Sequence, residues 1–401
     1  MAYRIPLAFS TFTGAEIKAA TDVLNSGRLT QGQEVAAFEK ELAEWHGVPH
    51  AILVNSGSSA NLIAIEAAIY LSRLIPDRLF GRIEAGDEVI IQGLNWPSTL
   101  KPILNHGLRP VFCDVDIQSL NAGVGEIQAA RTNRTRMVVA VPVLGNPSHL
   151  EELRDYCDQN RLILIEDACE SLGALTEDNH RVGTLGLASA HSFYFSHHLT
   201  TIEGGAVLTS DPQVADLCRA LRAHGWSREL RMDGFLRPEA AEVDERFCFV
   251  MPGYNVRSTE LNAAIGRVQL ASLNHMLARR REVARGRRDA IAQLADRITV
   301  PGADIVDRHS WMATPLLFTS CEHRDRARAS LEASGVETRP IIVGNMLRHP
   351  LVKMIGLSEA QKDLPMCDEV FGRGLMIGLS PVSTEEDEAI VHEALVKAAT
   401  A

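Results

Sequence analysis

The 401-residue sequence predicts an α/β protein, with a large domain on a mainly parallel sheet and a smaller C-terminal α/β domain. Three observations predict it. Short apolar runs alternate with amphipathic stretches from about residue 51 to 210, as in strands covered on both faces by crossover helices. A stretch rich in Ala, Leu, Arg and Glu from Ser258 to Leu294 reads as one long helix. Beyond it a second, shorter alternation begins. The division expected is an N-terminal arm and large domain over 1–257, then a linking helix and small domain over 258–401.

In chain order, the strand candidates of the large domain are Ala51–Val54, Glu88–Ile91, Pro110–Cys113, Met137–Val141, Arg161–Ile165 and Ala206–Leu208. A further strand-like run, Ser192-Phe-Tyr-Phe195, precedes two adjacent histidines, so six or seven strands are expected. Ser58–Leu74 and His149–Asn160 read as helices between them. The segment Arg228–Phe249 has mixed charge and no period, and reads as an inserted loop or hairpin. In the C-terminal part, strands at Trp311–Phe318 and Val336–Val343 precede a last helix at Glu385–Lys397.

Composition narrows the function classes. A formal charge of −11 opposes broad nucleic-acid binding, while local arginines remain able to hold an anionic small substrate. No apolar run is long enough to span a bilayer, and the first residues lack the pattern of a signal peptide. The cytoplasm is the expected location. The seven cysteines, at 113, 157, 169, 218, 248, 321 and 367, form no C-x-C or C-x-x-C. Reduced, mostly buried thiols are expected, with no metal site.

Three motifs carry chemistry. Asn55-Ser-Gly-Ser-Ser-Ala-Asn61 follows a strand and opens a helix. Gly57 permits a tight turn, and Ser58 and Ser59 stand where helix N–H groups have no internal partners, which suits a phosphate or a plain serine cap. Leu164-Ile-Glu-Asp-Ala-Cys-Glu170 sets acids at the end of a buried strand. Asp167 there suits a protonated pyridine nitrogen, or is simply a strand-end carboxylate. Ser196-His-His-Leu-Thr-Thr-Ile-Glu-Gly-Gly205 places His197 and His198 side by side. Neighbouring strand residues face opposite ways, so the two make a poor metal pair.

In this order and spacing the motifs resemble the DegT/DnrJ/EryC1/StrS family of sugar aminotransferases, pyridoxal-phosphate (PLP) enzymes of fold type I. The resemblance extends through Gly253-Tyr-Asn-Val-Arg257, Glu260 and Ala264-Ile-Gly266 to the C-terminal domain. It implies that Gly57, Ser58 and Ser192 hold the cofactor phosphate and that Trp96 stacks on the pyridine ring. Asp167 would pair with the ring nitrogen, and Glu170 stands where a glutamine usually meets the ring hydroxyl. Asn255 would reach the phosphate of a neighbouring subunit, which implies a homodimer with shared sites.

One position departs from the family. The lysine that binds PLP is replaced by His197, and no lysine occurs between Lys101 and Lys353. Imidazole forms no stable Schiff base with an aldehyde, so ordinary transamination is not expected. The chain is then either a non-catalytic ligand-binding relative, an aminotransferase-like enzyme on another keto substrate, or an enzyme that uses His197 as general acid and base. The last is similar to the sugar 3-dehydratases of the same family. It implies that L-glutamate converts PLP to pyridoxamine phosphate (PMP), releasing 2-oxoglutarate. Loss of the C3 hydroxyl from a nucleotide-linked 4-keto-6-deoxyhexose, with GDP-4-keto-6-deoxymannose foremost, would then release ammonia.

Lesser candidates follow. A second 3-dehydratase branch with the histidine carries a 2Fe–2S cluster on four cysteines, two of them in a C-x-C. The nearest pair here is Cys157 and Cys169, so no cluster is expected. Arg228 and Arg339 are candidates for a carboxylate or diphosphate clamp, with Arg339 the expected ligand of the glutamate carboxylate. His198 is expected to pack or bond to a loop, and His224 to approach a partner's cofactor.

Overall fold

The computed structural model describes residues 3–232, 234–236, 243–357 and 363–400. The strands of the large sheet are β1 (His50–Val54), β2 (Glu88–Gln92), β3 (Arg109–Cys113), β4 (Thr135–Ala140), β5 (Ile163–Asp167), β6 (Ala188–Ser192) and β7 (Gly205–Thr209). Their spatial order is β1-β7-β6-β5-β4-β2-β3. β7 runs antiparallel to both its neighbours and every other pairing is parallel. Helices Gly57–Leu74 and Leu150–Gln159 lie where periodicity puts them. Ile63, Ala67 and Leu71 of the first are fully buried against the sheet.

The smaller sheet is wholly antiparallel, in the order β10-β11-β9-β8, with β8 (Ile298–Thr299), β9 (Ala313–Phe318), β10 (Thr338–Arg339) and β11 (Gly374–Gly378). One helix, Glu260–Ala292, joins the two sheets' territories. Its Ala263, Leu273 and Leu277 pack beside β1 and β7, while Ile291 enters the core of the small sheet. The N-terminal arm reaches that second core too, since Ile5 bridges to Val336 and is fully buried there.

Three differences from the sequence reading have physical causes. β6 is Ala188-Ser-Ala-His-Ser192, upstream of the aromatic run expected as strand. A buried strand so polar hides from an apolar pattern, and within it Ser189 and His191 pair with each other. Ser189 Oγ and His191 Nε2 are 3.0 Å apart, and the His191 ring meets His46 edge-on at 4.9 Å. The chain leaves the sheet at Ser192, so His197 and His198 stand in a loop and are not held on opposite faces of a strand. Of Val336–Val343 only Thr338–Arg339 is strand; Ile342 (φ 49°) and Gly344 (φ 69°) turn the chain away. Part of Arg228–Phe249 lies outside the described residues; Glu245–Phe247 forms a single 3₁₀ turn.

Candidate active site

The carboxyl ends of β5 and β6 and the start of helix Gly57–Leu74 converge on a cleft of 370 Å³. Gly57, Ser58, Trp96, Asp167, Glu170, Ser192 and His197 all line it. Among the described residues, none that lines it is a lysine. Met376 of the small sheet, Met312 just ahead of β9 and the neighbouring Ile342 close its other side.

At the phosphate end, Ser56 caps the helix by accepting from the Ser59 N–H at 3.1 Å. The N–H groups of Gly57 and Ser58 precede any intrahelical acceptor and point out of the first turn. Space explains the glycine. A Cβ at Gly57 would stand 2.5 Å from Ser192 Cβ, 2.9 Å from Ser192 Oγ and 3.0 Å from Cys169 Sγ. The helix start and β6 therefore meet backbone to side chain, leaving a donor-rich concavity that fits a phosphate. Trp96, 58% exposed at the cleft wall, offers a bare ring face for stacking.

Asp167 sits at the last position of β5 and is buried. Asn61 Nδ2 donates to its Oδ2 at 2.7 Å, Thr99 Oγ1 donates to the same atom at 2.9 Å, and the Cys169 N–H donates to Oδ1 at 3.4 Å. All three donors are neutral. Among the described residues no Lys, Arg or His pairs with this carboxylate, so the buried charge fits a cationic ring nitrogen supplied from the cleft. Asn61 and Thr99 were not singled out in the sequence. The signal was present, because Asn61 lies four residues after Gly57 on one helix face.

Glu170 accepts from the Leu144 N–H at 3.0 Å. Burial pushes its carboxyl up to about 7, the Leu144 bond opposes this, and the Asp167 charge adds to it. Near neutrality it thus holds a proton part of the time and can donate, as the glutamine expected at this place does.

His197 is half-buried. Its Nδ1 lies 3.3 Å from the Ser192 carbonyl, and its ring meets Tyr194 edge-on at 5.9 Å. A carbonyl only accepts, so Nδ1 carries the hydrogen and Nε2 is the basic atom. Dehydration pushes the imidazole down to about 4; the Ser192 bond opposes this and the Arg280 guanidinium adds to it. His197 is accordingly neutral at pH 7. His198 points away, with Nε2 3.1 Å from the Ser310 carbonyl.

The remaining candidates lie outside this cleft. Arg228 stacks on Trp226 at 5.2 Å in a separate groove that also holds Arg219, Arg222 and Arg257. Arg339 is exposed and pairs with Glu337 at 2.7 Å. Asn255 is exposed, accepting from Arg257 Nε at 3.2 Å, and His224 is exposed at a left-handed turn (φ 63°). All seven cysteines are unpaired; Cys169 stands in the cleft floor. No helix among the described residues is long and apolar enough to cross a membrane.

Known proteins share this fold. GDP-4-keto-6-deoxy-D-mannose 3-dehydratase of Escherichia coli O55:H7 is 32% identical over 396 residues, which cover 97% of this chain and 99% of that protein. A solved GDP-4-keto-6-deoxymannose-3-dehydratase with a trapped PLP-glutamate geminal diamine superposes with a TM-score of 0.86 at 31% identity, covering 98% of this chain and all (100%) of the other. A variant of that dehydratase with bound GDP-perosamine superposes with a TM-score of 0.87 at 30% identity, with coverage of 98% and 100%. Residues 11–396 match the model of one family, and the chain belongs to it: the DegT/DnrJ/EryC1/StrS aminotransferase family.

Proposed function

We propose that this chain is a PLP-dependent sugar 3-dehydratase. With L-glutamate as amino donor, it removes the C3 hydroxyl of a nucleotide-linked 4-keto-6-deoxyhexose, GDP-4-keto-6-deoxymannose first. The products are the 4-keto-3,6-dideoxy sugar, ammonia and 2-oxoglutarate. One observation carries the reading: among the described residues, a cleft fit for the cofactor holds a neutral histidine and no lysine.

A bound cofactor would supply an amine-accepting aldehyde for glutamate and an electron-sink ring for loss of the sugar hydroxyl. The chain's residues do the rest. Gly57, Ser58 and Ser192 hold the phosphate, and Trp96 covers the ring. Asp167, fixed by Asn61 and Thr99, keeps the ring nitrogen protonated, while Glu170 bonds the ring hydroxyl. His197 Nε2 takes a proton and returns it to the departing hydroxyl. General acid–base work of this kind contributes about 10²–10⁴-fold. With no described lysine in the cleft, the amine is not handed on to the sugar.

The proposed assembly is a cytoplasmic homodimer with shared sites, divided as 1–257 and 258–401 within each chain. Tyr194, Phe195 and Ile202, on the loop that lines the cleft, expose apolar side chains that suit a subunit contact. Asn255 and Arg228, remote from their own cleft, would serve the partner's. Arg339 would meet the glutamate carboxylate after leaving Glu337. Surface-polysaccharide biosynthesis is the proposed setting; a Salmonella typhimurium relative, 30% identical, is a lipopolysaccharide biosynthesis protein.

The test incubates purified protein with PLP, L-glutamate and GDP-4-keto-6-deoxymannose, with mass spectrometry of the sugar and an ammonia assay. Deoxygenation without nitrogen gain, lost in His197→Asn, is expected. An aminated sugar would overturn the reading. Glutamate consumed with the sugar unchanged would move it to another keto substrate, and absence of cofactor binding would leave a non-catalytic relative.

A further inference from the structure

We infer that Glu203 is a specificity-determining residue: its carboxylate accepts a hydrogen bond from the C2 hydroxyl of the bound hexose. The inference deepens the function proposed above and rests on it. The cleft walls carry three carboxylates, those of Asp167, Glu170 and Glu203. Asp167 accepts from Asn61, Thr99 and the Cys169 N–H, and Glu170 accepts from the Leu144 N–H. The Glu203 carboxylate accepts from no donor among the described residues and pairs with none of their cations. The residue is exposed, so a ligand in the cleft can reach it. An ionised carboxylate only accepts and therefore needs a donor. The cofactor phosphate and the glutamate carboxylates also only accept, and the glutamate amine is directed to the cofactor. Hexose hydroxyls are the donors left. A 4-keto-6-deoxyhexose joined to a nucleotide through C1 has free hydroxyls at C2 and C3 alone. The C3 hydroxyl departs and must gain a proton, so a carboxylate accepting its hydrogen would hold it back. The C2 hydroxyl stays on the product, and Glu203 can hold it throughout.

The turn that carries Glu203 is held in an unusual shape. Among the described non-glycine residues with positive φ, only Ile202 (φ 75°) and Ile342 (φ 49°) are β-branched. A β-branched side chain crowds the backbone there, and such strain persists only where the surroundings over-determine it, most often beside a functional site. Ile342 lines the cleft, and Ile202 directly precedes Glu203. The bonds that fix the turn are specific. The Ile202 N–H donates to Thr200 Oγ1 at 3.0 Å. The Glu203 carbonyl accepts from Thr201 Oγ1 at 2.8 Å and from Asn262 Nδ2 at 3.0 Å. The Phe193 N–H donates to the Gly204 carbonyl at 2.9 Å. Gly205 then seats the chain against the phosphate cradle, where a Cβ would stand 2.5 Å from the Ser56 carbonyl oxygen and 2.7 Å from the Gly57 nitrogen. The Glu203 backbone is thus fixed on the loop that bears His197, and its side chain alone is left for a ligand.

The test is calorimetric titration of the full chain loaded with PLP, without glutamate so that no sugar is consumed. The titrants are GDP-4-keto-6-deoxymannose and its 2-deoxy analogue. The parent should bind the first about 10- to 100-fold more tightly, the worth of one hydrogen bond to a charged group. Glu203→Ala should bind the two about equally, by weakening the first alone. Glu203→Gln keeps one acceptor without the charge and should retain part of the preference. The same preference in the parent and in Glu203→Ala overturns the inference. So does a loss of dimer on sedimentation with the preference kept, which assigns the side chain to a subunit contact. Should Glu203→Ala not fold, the glutamine variant is read in its place, and a parent that binds both sugars equally overturns the inference without any variant. A Glu203-dependent preference with no dehydration once glutamate is added would sink the proposed function alone. Dehydration without that preference would sink this inference alone.

Discussion

Gly57→Ala tests the cofactor cradle most sharply. The backbone here is not in the left-handed region, so the cost of a methyl group is one of space. Its nearest neighbours would be Ser192 Cβ at 2.5 Å and Ser192 Oγ at 2.9 Å, on a strand hydrogen-bonded on both sides. Rotation of Ser192 relieves the second contact and not the first, since Cβ is fixed by the backbone. The helix start must therefore move by several tenths of an ångström. Overpacking of this kind costs about 1–3 kcal/mol, readable as a lower urea midpoint without cofactor. The same movement withdraws the Gly57 and Ser58 N–H groups from the phosphate. Loss of one hydrogen bond to a charged group is worth about 1.5–3 kcal/mol, so the dissociation constant for PLP, followed by absorbance, should rise about 10- to 100-fold. Adding Ser192→Gly removes both clashing atoms and should recover most of the stability, a coupling measurable as a double-mutant cycle. Unchanged PLP affinity in Gly57→Ala would refute the placement of the phosphate at this helix start.

Two more substitutions probe the acidic side. Because the folded state raises the Glu170 carboxyl to about 7, the native protein binds more protons than the unfolded chain between roughly pH 4.5 and 7, and this group's contribution to stability falls as pH rises through that window. Glu170→Gln should therefore gain stability over the parent at pH 8 and little at pH 4, in urea unfolding; an equal effect at both would contradict the raised carboxyl. Asp167→Asn keeps an acceptor for Asn61 and Thr99 but removes the charge, so the ligand-free protein should unfold within about 1 kcal/mol of the parent. Its dehydration rate should fall by about 10²-fold or more; an unchanged rate would show that Asp167 does not face a cationic nitrogen.

Much of the fold was legible in the residues because its signal is local. Glu88–Ile91 and Met137–Val141 announce buried parallel strands by apolar content, and they form β2 and β4 within a residue or two. Ser258–Leu294 announces its helix by composition. β6 was illegible for the opposite reason, since Ser189 finds its partners, the Gly183 carbonyl and the His191 ring, only on folding.

The sequence by itself determined the architecture, the three motifs and the histidine in the lysine's place, because periodicity and residue chemistry survive without coordinates. Only the tertiary structure decided that Asn61 and Thr99 hold Asp167, that Ser192 demands a glycine at 57, and that His197 keeps its hydrogen on Nδ1. It also left Arg228, Arg339 and Asn255 outside their own chain's cleft. Burial, charge compensation and hydrogen-bond partners depend on groups tens or hundreds of residues apart, and the chemistry of a side chain is set by those groups as much as by its own identity.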